Sequence, residues 1–132
     1  MQLSEYQKLT SRTNTDLGSK AINAAHVTLG IVGEWEEFDY EYYEGSNGNN
    51  LIKESGDCTW SISELANIFN LKLEIEFDAE HSFESYQAMV AEAIKKYLAY
   101  GKEIDLVWLN SALNYLLGYI RYRIEDAGYT ME

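Results

Sequence analysis

Apolar residues recur at every third or fourth position along most of this chain, which is the period of an amphipathic α-helix. The pattern predicts five helices, over about residues 3–10, 19–44, 51–69, 82–100 and 104–127. Ser4 and Gln7 have the spacing of a capping box in the first helix. Gly45, Gly101 and Gly128 follow the second, fourth and fifth helices as stop signals. We therefore predict an all-α fold, a helical bundle built from antiparallel helix hairpins.

One segment departs from the helical period. In LKLEIEFDAE the apolar residues alternate with polar ones, as in a β-strand. These residues are Leu71, Leu73, Ile75 and Phe77. A single strand would have no partner to pair with, so we predict an extended connection between the third and fourth helices. The final residues, YTME, resemble the start of another helix with Thr130 as its N-cap.

No Pro- or Ser-rich linker divides the sequence, which predicts a single domain over residues 1–132. Residues 1–70 would form its first half, and residues 82–127 a second helical hairpin. A shift of fifty-five positions superimposes the two hairpins and places Glu34, Glu37, Glu54 and Asp57 on Met89, Glu92, Leu109 and Ala112. The second hairpin is thus a candidate degenerate repeat, although any two amphipathic hairpins resemble each other by chance.

The charge is strongly unbalanced, with 22 acidic residues against 10 basic ones and a net charge of −12. Such a surface repels nucleic acids and anionic membranes and attracts cations. Cys58 is the only cysteine, which excludes an internal disulfide. The opening MQLSEYQKLTSRT lacks the apolar region of a signal peptide, and no apolar run reaches membrane-spanning length. We expect a cytoplasmic protein.

Two carboxylate pairs with helical spacing lie on either side of a Gly/Asn-rich turn. They are Glu34 with Glu37, and Glu54 with Asp57. On helical wheels of about 100° per residue each pair lies directly beside an apolar stripe instead of opposite it. If the turn folds the two helices antiparallel, the four carboxylates meet at the edge of the core. Chance pairs such as Glu36 with Asp39 show that the alternative, a solvated acidic face, stays open.

Carboxylates that converge at a partly desolvated edge repel one another and need a compensating charge. Lys53 is the only basic residue between Glu34 and Asp57. A hard divalent cation with oxygen ligands would supply the missing charge, and Mg²⁺ is the commonest such ion, with Mn²⁺ as an alternative. Gly30 lies on the same stripe and would let a ligand approach the backbone.

HVTLGIVGEWEEF, followed by LIKESGDCTW, resembles the MazG-like all-α nucleoside triphosphate pyrophosphohydrolases. That family carries Glu-x-x-Glu, a spacer and Glu-x-x-Asp, and the spacer between Glu37 and Glu54 is sixteen residues here. The resemblance implies helical hairpins, a homodimer or higher homo-oligomer, and Mg²⁺ held by Glu34, Glu37, Glu54 and Asp57. It also implies hydrolysis of a nucleoside triphosphate between the α- and β-phosphates to a monophosphate and pyrophosphate, in cleaning of the nucleotide pool.

The chain departs from the family pattern inside Glu-x-x-Glu and directly before Glu-x-x-Asp. Trp35 and Glu36 stand where members often have small residues, and Trp35 predicts a narrowed or reshaped pocket. Lys53 stands where many members have an acidic residue. The basic stretch that usually follows the family's GYTME-like segment is missing, so the source of phosphate-binding cations is open.

Four residues are candidate substrate contacts: Asn23, His26, Lys53 and Trp60. Structural roles compete for most of them, namely an exposed helix asparagine, a packed or capping histidine, and a tryptophan that packs between helices. Basic residues of the second half are candidate phosphate contacts, although a solvated face explains them equally well. They are Lys95, Lys96, Arg121 and Arg123.

The sequence therefore predicts a Mg²⁺-dependent nucleotide pyrophosphohydrolase that binds no nucleic acid and no membrane. Two alternatives remain open. One is a non-catalytic acidic helical protein that mimics nucleic acid and occupies a basic partner. The other is a related enzyme that hydrolyses phosphoribosyl-linked nucleotides.

Overall fold

A computed structural model describes residues 2–11, 16–45, 47–78 and 80–129. It contains five helices, which are α1 (Leu3–Thr10), α2 (Lys20–Glu44), α3 (Gly48–Ile68), α4 (Phe83–Tyr100) and α5 (Leu106–Asp126). Within these ranges no strand occurs, so the all-α prediction is confirmed. Among the helices of the same ranges, none combines the length with the apolar character that a membrane crossing requires.

Side-chain caps fix where the long helices begin. Ser19, Ser82 and Asp105 each accept a hydrogen bond of 3.1 Å from the backbone N–H three residues later, at the starts of α2, α4 and α5. These contacts satisfy N–H groups that a helix leaves unpaired in its first turn. The helix α3 begins three residues earlier than predicted, because Asn47 caps it through the N–H of Asn49 at 2.9 Å.

The predicted stop signals differ in how they work. Gly101 and Gly128 have positive φ values of 64° and 92° just after α4 and α5, the left-handed conformation that glycine adopts at least cost. Gly45 ends α2 in an extended conformation instead. The predicted capping box of α1 is wrong, since Gln2 occupies the N-cap and makes no side-chain cap. Thr130 lies outside the described residues.

Contacts between residues give the direction of each long helix. Gly30 faces Ser61, and the carboxylate of Glu34 lies near that of Asp57, so α2 and α3 run antiparallel. Tyr86 packs on Tyr115, while Ala93 and Trp108 line the same cleft, so α4 and α5 are antiparallel as well. In each of these two pairs, consecutive long helices therefore lie antiparallel.

The four long helices form a ring in which each packs against two neighbours. The order around the ring is α2, α3, α5 and α4, with α1 on the outside of α3. The aromatic ring of Trp35 stacks on Phe83 with centroids 3.6 Å apart, which joins α2 to α4. Fully buried aliphatic side chains fill the centre, among them Ile31, Ile62, Leu65, Leu109, Leu113, Leu116 and Leu117.

After α3, residues 69–78 run along α5, in contact with Asn110, Asn114 and Gly118. The predicted connection without strand pairing is confirmed for residues 71–78. Asn114 anchors this segment, because its Oδ1 accepts from the N–H of Glu74 at 2.8 Å and its carbonyl accepts from the N–H of Glu76 at 3.2 Å. Gly118 leaves room for it, since a Cβ there would come within 1.8 Å of the Glu76 carbonyl oxygen.

Gln7 ties the start of this segment to α1. Its side chain donates to the carbonyl of Leu71 at 2.9 Å and accepts from the N–H of Leu73 at 3.0 Å. A buried glutamine with both amide atoms paired stabilises a segment that has no ladder of its own. Gln7 thus holds the start of the segment against α1.

Candidate metal centre

Three carboxylates from α2 and α3 converge on the open side of this hairpin. Glu34, Glu54 and Asp57 each offer one oxygen, and these oxygens lie within 4.8 Å of one another. The described part of the chain shows no second group of this kind. We call these three residues the carboxylate cluster. The antiparallel hairpin creates it, because the apolar stripes of both helices face the core and the acidic stripes beside them meet at its edge.

The predicted fourth ligand, Glu37, lies one turn further along α2. It is exposed and does not belong to the three-oxygen group. Its carboxyl group nevertheless interacts with its neighbours, since burial and then a hydrogen bond with Glu37 raise the pKa of Glu54. The structure therefore brings together three of the four motif carboxylates closely, with the fourth in contact at the rim.

Burial and mutual repulsion make the cluster electrostatically costly. Burial raises the pKa of Glu34, followed by the negative charges of Glu37, Asp57 and Glu54. The Oε2 atoms of Glu34 and Glu54 are buried and have no hydrogen-bond partner among the described residues. Unpaired buried carboxylate oxygens are destabilising unless a cation or a donor meets them. The site thus has the donor set and the unmet need that a hard divalent cation would fill.

Lys53 is the cationic side chain at the cluster. Its ammonium group lies 3.5 Å from Glu54 Oε1 and 3.4 Å from Asp57 Oδ2. Hydrogen bonding to Asp57 and the charges of Asp57 and Glu54 raise its pKa. The side chain stays largely exposed to solvent, so it faces the same space that a ligand of the cluster would enter.

A row of polar residues continues from the cluster along the groove between α2 and α3. Gly30 lies opposite Ser61, whose Oγ would be 3.6 Å from a Cβ at that position. The glycine therefore allows close helix packing, and its predicted role in ligand approach finds a structural alternative here. One turn further, His26 lies near Glu64. Burial raises the pKa of Glu64, and the charge of His26 opposes this rise.

Glu64 is a residue that the sequence analysis missed. Its Oε1 accepts a hydrogen bond of 2.6 Å from Nε1 of Trp60. The seven-residue spacing from Asp57 to Glu64 is the signal that would have found it, because seven residues are about two helical turns. Tyr6 packs edge-on against Trp60, with ring centroids 5.8 Å apart. The half-buried tryptophan is thus held between α1 and α3, which is the packing role that the sequence analysis weighed.

Asn23 lies away from the cluster, at the start of α2. Its Oδ1 accepts from the N–H of Leu17 at 2.7 Å, and its Nδ2 donates to Asp16 Oδ1 at 3.2 Å. Both ends of the amide therefore hold the segment that leads into α2. Reading of a base edge by Asn23, one of the predicted roles, would require these bonds to break.

Trp35 does not line the candidate site. Its ring is buried against α4, and its Nε1 donates to Glu84 Oε1 at 2.9 Å. The guanidinium of Arg123 lies over the Trp35 ring, 4.4 Å from its centroid, and pairs with Asp39. The prediction of a pocket reshaped by Trp35 is thus wrong for this structure, and Arg123 is a structural cation that joins α5 to α2.

The other candidate phosphate contacts also have partners within their own helices. Lys95 and Lys96 pair with Glu92, at 3.6 and 3.8 Å, and Arg121 pairs with Glu125 at 3.7 Å. A cleft of about 230 Å³ beside Lys96 lies between α4 and the start of α5, apart from the carboxylates. The acidic cluster, not this cleft, identifies the candidate site, because the cluster holds two buried carboxylate oxygens that have no partner among the described residues.

Comparisons of the chain with protein-family models, with curated proteins and with solved structures give no match. The resemblance to MazG-like enzymes therefore remains a prediction from the motif residues. The geometry of the carboxylates supplies the independent observation on which a functional proposal can stand.

Proposed function

We propose that this protein is a Mg²⁺-dependent, MazG-like nucleoside triphosphate pyrophosphohydrolase. The observation that carries the proposal is the convergence of the Glu34, Glu54 and Asp57 oxygens within 4.8 Å across the α2–α3 hairpin. These residues occupy three of the four positions that the motif resemblance assigns to metal binding. Two of them have buried oxygens without a partner among the described residues, a feature that a solvated acidic face does not produce.

The proposed roles follow from position. Glu34, Glu54 and Asp57 would hold the ion, which when bound neutralises phosphate charge and lowers the pKa of a water molecule. Glu37 lies at the rim beside Glu54 and is placed to contribute a further ligand atom or to accept the proton of the attacking water. The exposed ammonium of Lys53 is placed to contact a phosphate group.

The proposed reaction breaks one P–O bond between the α- and β-phosphates. The oxygen of water joins phosphorus, and its proton passes to a carboxylate. Nucleoside monophosphate and pyrophosphate leave as products. Nucleotide-pool cleaning in the cytoplasm is the physiological role that we propose for this reaction.

The test is a panel of ribo- and deoxyribonucleoside triphosphates with Mg²⁺ and separately with Mn²⁺, read by pyrophosphate release and by chromatography of the nucleotide product. We expect monophosphate and pyrophosphate from at least one substrate, and no turnover with a chelator present. Diphosphate with orthophosphate would place the protein in another reaction class. A phosphoribosyl-linked nucleotide belongs in the panel, because its turnover alone would favour the related enzyme.

A second candidate, a non-catalytic binding protein, is favoured by the outer face of α2. Leu29, Tyr40 and Tyr43 lie 60–73% exposed on this face, and Glu36 and Glu44 are exposed beside them. Uncovered apolar side chains on one helix face are typical of an interaction surface. Absence of both binding and turnover for every nucleotide of the panel would favour this candidate over the enzyme.

The same face is our proposed contact for a homodimer. Self-association would cover Leu29 and the two tyrosines. Light scattering after size exclusion should then show a dimer for the wild type and a monomer for Leu29→Asp. A monomer for both would remove the proposed dimer while leaving the metal site untouched.

A further inference from the structure

The position of Lys53 raises a question about the carboxylate cluster that the proposed reaction does not answer. Lys53 is the sole Lys or Arg between Lys20 and Lys72 in the sequence. Its ammonium contacts two members of the cluster at once, Glu54 at 3.5 Å and Asp57 at 3.4 Å. The positive charge that offsets the cluster within the protein is thus on a flexible side chain that belongs to the site itself.

A divalent ion and the ammonium group would compete for the same carboxylate groups. Both are cations, and both would be attracted to the carboxylates of Glu54 and Asp57. Two cations on one pair of carboxylates repel each other, so binding of either weakens binding of the other. Lys53 is 67% exposed and rests on a four-carbon stem, so it can leave the carboxylates without disturbing the core.

A phosphate-bearing ligand changes this competition. Its negative charge offers Lys53 a new partner next to the cluster, where the ammonium would otherwise lose its contacts on metal binding. The ligand therefore removes the competitor from the metal site, and the metal frees Lys53 for the ligand. Coupling of this kind is reciprocal, because each of the two ligands must change the affinity of the other by the same factor.

We propose that Lys53 is an internal counter-cation that exchanges between the carboxylate cluster and a bound polyphosphate, so that metal and polyphosphate bind cooperatively. This inference rests on the proposed metal site, and it goes beyond it by giving Lys53 two states. Metal binding alone is opposed by Lys53, whereas binding of the metal–polyphosphate complex is favoured by it. Replacing this one residue therefore changes the two affinities in opposite directions.

The experiment measures binding without any turnover. Mn²⁺ is titrated calorimetrically into the wild type, Lys53→Met, Lys53→Arg and Lys95→Met, with no nucleotide present. Lys95 is the matched control, because its side chain is 64% exposed, it pairs with a glutamate at 3.6 Å, and its removal changes the charge by the same amount. The same four proteins are then titrated with Mn²⁺–tripolyphosphate at saturating Mn²⁺.

For Mn²⁺ alone we expect Lys53→Met to bind about 3- to 10-fold more tightly than the wild type, the range expected for removal of two partly exposed ion pairs. For Mn²⁺–tripolyphosphate we expect binding weaker by a similar factor. Lys53→Arg should stay near the wild type, and Lys95→Met should change neither affinity appreciably. A salt bridge with a purely structural role would move neither affinity.

The proposal is overturned if Lys53→Met binds Mn²⁺ no more tightly than Lys95→Met, or if it binds the complex as well as the wild type does. If neither the wild type nor Lys53→Met binds Mn²⁺, the metal site itself is absent and the proposed function falls with this inference. If Mn²⁺ binds but the opposite changes are missing, only the exchange by Lys53 is wrong.

Discussion

The two helix pairs of this bundle are both antiparallel, but they differ in chemistry at positions related by the sequence shift. In the α2–α3 hairpin, Glu34, Glu54 and Asp57 converge at the edge of the core. In the α4–α5 hairpin, the positions related by the fifty-five-residue shift hold Met89, Leu109 and Ala112. Leu109 and Ala112 are fully buried or nearly so, and they pack in the hydrophobic core.

The one acidic residue that both hairpins share behaves differently in each. Glu37 contributes to the raised pKa values of Glu34 and Glu54. Its counterpart Glu92 lies exposed and pairs with two lysines of its own helix. An acidic residue at this helix position can therefore be solvated without destabilising the fold. Its charge becomes destabilising only where other carboxylates lie beside it.

The comparison shows which residue types favour folding stability at the edge of the core. Leu109 occupies the position of Glu54 in the second hairpin, where it packs in the core. Carboxylates in the first hairpin repel one another and leave two buried oxygens unpaired within the described residues. A feature that lowers stability at one of two similar places needs a reason other than folding, and metal binding is the reason that we propose.

The largest expected effect comes from giving the second hairpin the chemistry of the first. Leu109→Glu places a carboxylate at the counterpart of Glu54, where the side chain is 0% exposed and packs in the hydrophobic core. An uncompensated buried charge costs about 3–5 kcal/mol. We expect urea denaturation at pH 8 to show this loss, and the loss to shrink at pH 5 as the carboxyl group takes up a proton.

Two controls separate charge from packing in that measurement. Leu109→Gln removes the same packing without a charge, so its destabilisation should not depend on pH. Val107→Glu adds the charge at an 81% exposed position of the same helix and should change stability by less than about 0.5 kcal/mol. Equal unfolding midpoints for Leu109→Glu and Leu109→Gln at both pH values would show that the second hairpin tolerates a carboxylate as the first does.

The next effect concerns activity. Asp57→Asn removes one charge from the carboxylate cluster while keeping the side-chain size. We expect hydrolysis to fall by at least about 100-fold, because even substitutions one layer behind metal ligands cost roughly 10- to 100-fold. Pyrophosphate release under saturating Mg²⁺ measures it.

Glu36→Gln is the matched variant for Asp57→Asn. It makes the same change of formal charge at an exposed position of α2. Its activity should stay close to that of the wild type, so bulk electrostatics cannot account for a difference between the two. Wild-type activity in both variants would remove the cluster from the mechanism and leave the binding-protein candidate ahead.

The helical wheel was sufficient to predict the cluster, and the reason is geometric. A period of 3.6 residues fixes which side chains share a face, and a short turn allows few arrangements other than an antiparallel hairpin. Glu34, Glu54 and Asp57 were therefore predictable as neighbours before any coordinates. The prediction also placed Glu37 among them, whereas it lies one turn away from the three-oxygen group. A helical wheel shows the angle of a side chain around the helix axis and not its position along that axis.

Long-range partners explain what the sequence did not reveal. Gln7 had capping-box spacing with Ser4, yet its amide is paired with residues more than sixty positions away. Trp35 was adjacent to the motif, yet its ring stacks on Phe83 across the bundle. Local spacing does not contain the choice between a nearby and a distant partner, which tertiary packing decides.

A further prediction compares the hairpins through metal binding. A ligand that binds only the folded state adds about 2.7 kcal/mol at a hundredfold excess over its Kd. We expect Mg²⁺ or Mn²⁺ to raise the melting temperature of the wild type by several degrees. Glu37→Gln should reduce this rise, whereas Glu92→Gln, its counterpart in the second hairpin, should leave the rise unchanged. An unchanged melting curve of the wild type at millimolar metal would count against the site.

The smallest expected effect is on the protein without metal. Burial and neighbouring acids raise the pKa of Glu34, so the folded state holds this proton more tightly than the unfolded state does. The stabilisation from that proton is complete below the unfolded pKa, near 4.5, and is lost as the pH rises through the higher folded pKa. At neutral pH the ionised Glu34 is therefore destabilising, and Glu34→Gln should unfold at a slightly higher denaturant concentration than the wild type.

The pH dependence and the metal dependence of the stability gained in Glu34→Gln identify the origin of that gain. The difference between Glu34→Gln and the wild type, under about 1 kcal/mol for one partly exposed charge, should fade towards pH 4, where both side chains are neutral. With saturating Mg²⁺ its sign should reverse, because the wild type gains the ion and the variant loses a ligand. Glu92→Gln should show neither behaviour, since lysines already compensate Glu92. A gain for Glu34→Gln that is equal at pH 4 and pH 7 would mean that better packing, and not relief of repulsion in the cluster, distinguishes the two hairpins.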